Sequence, residues 1–80
     1  MARIVKVLGG KAKRNKWLRY AETMECVVKP WLGKEVVTTL TYVNHAWISI
    51  HGYDIDTHVA EANYRVAVAN GLIVEDDDDN

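Results

Sequence analysis

Four residues able to bind a metal crowd the stretch HGYDIDTH: His51, Asp54, Asp56 and His58. Imidazole and carboxylate are the ordinary protein ligands of zinc and related ions. In an extended chain Asp54, Asp56 and His58 point to one side and His51 to the other. No paired zinc-finger spacing accompanies them. Three of them also have a structural use: Asp54 as a turn residue, Asp56 as a helix cap, and His58 as an exposed residue of the first helical turn. That use is preferred, and no metal or other cofactor is expected.

A second constellation is ionic. Lys11, Lys13, Arg14, Lys16 and Arg19 crowd the segment GGKAKRNKWLR, with Trp17 among them. Cations of this density attract phosphates, and an indole can stack on a base. They equally suit a solvated loop and first helical turn with Trp17 in the core. At the other end Glu75, Asp76, Asp77, Asp78 and Asp79 form an acidic run. Such a run can engage a basic partner, compete for a basic surface, or keep the chain in solution.

Nucleophilic chemistry finds no support. Cys26 stands alone, with no histidine placed by sequence to activate it. There is no Ser-His-Asp signature, phosphate-binding glycine loop or dinucleotide fingerprint. Gly9-Gly10-Lys11 lacks the flanking spacing of a phosphate loop. No catalytic residue is assigned and an enzyme is not expected.

The elements that position these residues are read from periodicity. Arg3 to Leu8 suits a strand stopped by Gly9-Gly10, with Lys11 to Asn15 exposed. Trp17, Tyr20, Ala21, Met24, Val27 and Val28 fall on one helical face, ended by Pro30. Glu35 to Val43 is rich in Val, Thr, Leu and Tyr and suits a strand. Asn44-His45 makes a turn into Ala46 to Ile50, where Trp47 and Ser49 alternate with Ile48 and Ile50. Asp56 caps a helix whose apolar stripe is Val59, Ala62, Val66 and Ala69. Gly71 closes that helix, and Leu72 to Val74 forms a short buried strand. The order strand, helix, strand, strand, helix, strand predicts an α+β domain of the split βαβ, ferredoxin-like kind (βαββαβ): a four-stranded antiparallel sheet with two helices on one face. Residues 1–74 form that domain, and 75–80 a disordered acidic tail.

Thr57 to Asp76, ending NGLIVEDD, resembles the closing part of winged-helix domains, where a recognition helix leads into a wing. The resemblance covers about a quarter of the chain. It implies His45 to His51 as the preceding helix and Gly52 as the turn, although that turn is one residue longer than the pattern.

The 80 residues suffice for one domain, with a formal net charge of −1 and 49% apolar residues. A chain this short buries only about 60% of its unfolded surface, so binding a partner or a second copy would add stability. One cysteine forms no internal disulfide and fits a reducing compartment. No apolar run is long enough to cross a membrane, and a cytoplasmic protein is expected. Two function classes follow. The first is a non-enzymatic protein-binding module, an inhibitor or adaptor of the kind frequent among phage and mobile-element accessory proteins. The second is a nucleic-acid binder using Lys11 to Arg19. Self-association through an exposed strand is a third.

Overall fold

The computed structural model describes residues 1–14 and 19–77. Strand β1 runs Arg3–Arg14, β2 Arg19–Lys29, β3 Val36–Val43 and β4 Ala46–Ser49. Helix α1 spans Thr57–Ala69, and β5 is Glu75–Asp77. These build one five-stranded mixed sheet in the order β4-β3-β2-β1-β5. The first four strands form an antiparallel meander, and β5 returns parallel to β1.

The split βαβ expectation is overturned: there are five strands, not four, and one helix among the described residues, not two. The error lies in β2. Its inward residues are Glu22, Met24, Cys26 and Val28, a period of two that pairs with β3 from Thr23↔Thr41 to Val28↔Val36. Because a carboxylate heads the buried set, the alternation does not read as apolar against polar. Trp17 lies outside the described residues. The winged-helix alternative falls as well, since Ala46–Ser49 is a strand where that pattern needs a helix.

β1 passes straight through Gly9-Gly10. Gly10 stands where a Cβ would meet the Thr23 backbone oxygen at 2.3 Å, so the glycine permits close strand pairing. Register slips between Ile4 and Lys6 and between Val7 and Gly9 put two residues of β1 opposite one of β2. Such bulges keep Ile4 and Val7 on the inner side while Val5 and Leu8 turn outward and are exposed.

The β3–β4 hairpin turns at Asn44 and His45, both at positive φ (51° and 65°), the geometry of a two-residue hairpin turn. The capping of α1 is as the sequence indicates. Asp56 accepts hydrogen bonds from the His58 and Val59 amides at 2.8 and 3.1 Å. Gly71 (φ 77°) ends the helix, with the Leu72 amide reaching back to the Ala67 carbonyl. The buried stripe is another matter. Ala60, Tyr64 and Ala67 face the sheet, whereas Val59, Ala62, Val66 and Ala69 face solvent. Leu72 to Val74 is not a strand, and only Ile73 of the three is buried. Glu75–Asp77, expected in a disordered tail, is the strand β5.

The core lies between α1 and one face of the sheet. It holds Met24, Cys26, Val28, Leu40, Trp47, Tyr64 and Ile73. Among the described residues nothing covers the opposite face. No helix is long and apolar enough to cross a membrane.

Candidate functional site

The uncovered sheet face is built by strand alternation alone. Inward positions on β3 are Thr38 and Leu40, so Val37, Thr39, Thr41 and Val43 point the other way. On β4 the buried Trp47 and Ser49 leave Ile48 outward. Register places Val37 beside Val27 and Ile48 beside Thr41, and the Ile50 amide donates to the Thr39 carbonyl at 3.0 Å. The result is a β-branched patch in which Val37, Ile48 and Ile50 are 58%, 51% and 61% exposed. Among the described residues this β2–β4 half of the face carries no aromatic ring. Tyr42, Trp47 and Tyr64 stack on the helix side, with centroids 5.4 and 5.1 Å apart.

Charge surrounds the patch unequally. Lys6, Lys11 and Lys13 stand outward along β1 and Lys29 at the end of β2, where its ammonium donates to the Pro30 carbonyl at 3.0 Å. Glu25 is the acidic residue among them. Beyond β2 the loop at 30–35 exposes Trp31 (80%) and Leu32 (78%) side by side.

Two buried polar clusters hold the framework that carries this face. The Tyr64 hydroxyl donates to Glu75 Oε2 at 2.6 Å and lies 3.3 Å from Glu22 Oε1. Burial, then the bond to Glu75 and the nearby carboxylate charges, hold this phenol protonated well above the ordinary range. Under β3 and β4, Thr38 Oγ1 lies 2.9 Å from Ser49 Oγ and 2.8 Å from His51 Nδ1. This is a hydroxyl pair bonded to an imidazole, with Thr38 and Ser49 buried and His51 exposed. Both clusters satisfy buried polar groups. The sequence offers no signal for the Tyr64 cluster beyond the alternation of Glu22 with Met24, Cys26 and Val28.

The residues singled out by sequence divide as follows. Lys11 and Lys13 are exposed on β1. Arg14 and Arg19 close the β1–β2 ladder opposite one another. Lys16 and Trp17 lie outside the described residues, as do Asp78 and Asp79. Glu75, Asp76 and Asp77 pair with Ala12, Lys13 and Arg14, so the acidic run lies along the basic strand. Of the metal candidates, Asp56 caps α1, His51 bonds Thr38, and Asp54 and His58 are exposed. Among the described residues no group of three or more such side chains could hold a metal. Cys26 is buried, and burial pushes its thiol up to about 11.

A recess of about 270 Å³ between the starts of β1 and α1 is lined by Met1, Ala2, Ile4, Ile55 and Val59, with Asp56 at its edge. Arg3 lines it as well, and its walls are mainly apolar. Comparison of the chain with protein-family models, with curated proteins and with solved structures finds no match.

Proposed function

We propose that this chain is a small non-enzymatic protein-binding module that docks on a larger protein through the uncovered face of its sheet. The observation that carries the reading is the β-branched patch in which exposed Val37, Ile48 and Ile50 lie beside half-buried Val27 and Thr41. Contiguous apolar surface on a small chain marks an interaction site more often than a solvated face. Its rim of Lys6, Lys11, Lys13 and Lys29 fits a partner surface that is apolar at the centre and carboxylate-bearing at the margin. Trp31, at the end of the sheet, is the residue type that most often anchors such interfaces. An inhibitor or adaptor, of the class common among phage accessory proteins, suits a chain of this size acting in an intracellular setting.

Nucleic acid is the second reading, favoured by the row of Lys6, Lys11 and Lys13 on one strand. Sheet faces that read single strands do so by stacking bases on aromatic rings, and the β2–β4 patch offers β-branched side chains instead. Affinity capture with and without nuclease separates the two. The docking reading predicts a stoichiometric protein partner that survives nuclease. Retention on immobilised DNA that falls steeply with salt, with no protein partner, would replace it with the second.

A further inference from the structure

We propose that the edge of β1 at Ala12–Arg14 is a receptor for an extended acidic peptide strand from a partner, with β5 as its built-in, displaceable occupant. The structure supplies the pattern of the ligand in the chain's own sequence. Glu75, Asp76 and Asp77 lie parallel to Ala12, Lys13 and Arg14, with Lys13 opposite Asp76 and Arg14 opposite Asp77 in register. The two ends of this contact differ in kind. Ile73, its Cδ1 about 3.1 Å from where a Gly10 Cβ would stand, and Glu75, bonded to Tyr64, are anchored in the core. Asp76 is exposed, at the outer side with Lys13.

A recess of about 330 Å³ opens along the same edge, lined by residues 10–13 of β1 together with Leu72, Val74 and Asp76. It combines cations with apolar walls, which suits a strand whose carboxylates follow an apolar residue. An edge strand reads a peptide through its backbone ladder, and side-chain charge adds selectivity. A phosphate polymer meets the lysines but has no backbone to continue the ladder. Because β5 is tethered beside its site it competes at high effective concentration, so weakening β5 should strengthen binding in trans.

The test uses the full chain and the labelled peptide Ac-VEDDDD-amide, with Ac-VQNNNN-amide and an oligo-dT strand as comparators. Binding is read by anisotropy and by amide shifts at Ala12–Arg14. The variant Asp76→Asn/Asp77→Asn removes two negative charges from β5 and leaves the Glu75 anchor in place. Glu35→Gln/Asp54→Asn makes the same change of net charge at a distance. The acidic peptide should shift the Ala12–Arg14 amides and bind the Asp76/Asp77 variant about tenfold more tightly than the native chain, the scale expected of opposite charges set in cross-strand register. Lys13→Glu should remove that binding. Equal affinity for the two charge variants, equal binding of the neutral peptide, stronger shifts from oligo-dT, or no shift at these amides in any variant would each overturn the proposal.

Discussion

The Tyr64 hydroxyl donates a 2.6 Å hydrogen bond to Glu75 Oε2 and so ties the middle of the helix to the first residue of the last strand. Since Glu75 pairs with Ala12, this contact fixes the parallel return of the chain onto β1. Tyr64→Phe removes the donor and leaves buried Glu22 and half-buried Glu75 with one partner fewer. It should lower stability by about 1–3 kcal/mol. Urea denaturation measures the loss, and amide exchange at Glu75–Asp77 should quicken more than at β3.

The helix faces give an independent test. Val66 is 59% exposed and Ala67 is buried. Val66→Lys should change stability by no more than about 0.5 kcal/mol. Ala67→Lys places a charge against the sheet and should unfold the domain at ordinary temperature. Thermal melts of the two variants would reverse in order if the stripe of Val59, Ala62, Val66 and Ala69 faced the core.

High pH should weaken the fold in a defined window. Burial raises the Cys26 thiol from an ordinary 9.0 to about 11 in the folded chain. The unfolded chain therefore loses this proton first. The stabilisation is complete below pH 9 and disappears as pH climbs towards 11, amounting to about 3 kcal/mol. Tyr64, also raised, acts in the same direction. Cys26→Ala would flatten part of this slope in urea melts taken across the window, and a thiol reagent should react with the native protein only at its unfolding rate.

How far the sequence carried depended on whether local chemistry or distant packing decided each element. Asp56, Gly71 and the Asn44-His45 turn follow from residue type, because a cap or turn is satisfied by its own neighbours. Glu35 to Val43 was legible from its β-branched content. β2 was not, because a buried Glu22 needs Tyr64, forty-two residues away, to make sense of its position. β1 hid its length behind Gly9-Gly10, and its bulges set the inward spacing from Ile4 to Val7 at three, not two. The helix carries apolar residues on both sides, and only the fit of Tyr64 between Trp47 and Glu75 selects the buried one. The acidic residues 75–77 read as a tail because their strand partner is the basic β1 segment, more than sixty residues away in sequence. The candidate docking face was invisible as a unit, since it is assembled from four strands whose order no local signal gives.

Trp31 should matter to binding and hardly at all to stability, because its side chain is 80% exposed. Trp31→Ala should leave the urea midpoint nearly unchanged and cost about 2 kcal/mol or more in partner affinity if it is an interface anchor. Titration calorimetry with the captured partner checks both halves of that statement.

The most direct test compares nuclease-treated affinity captures by the native chain, by Ile48→Lys/Ile50→Lys, and by Val66→Lys on the opposite side of the molecule. The docking account predicts one stoichiometric protein retained by the native chain and by Val66→Lys, and absent from the Ile48/Ile50 variant while that variant remains folded. A partner held equally by all three, or one that disappears with nuclease, would contradict it.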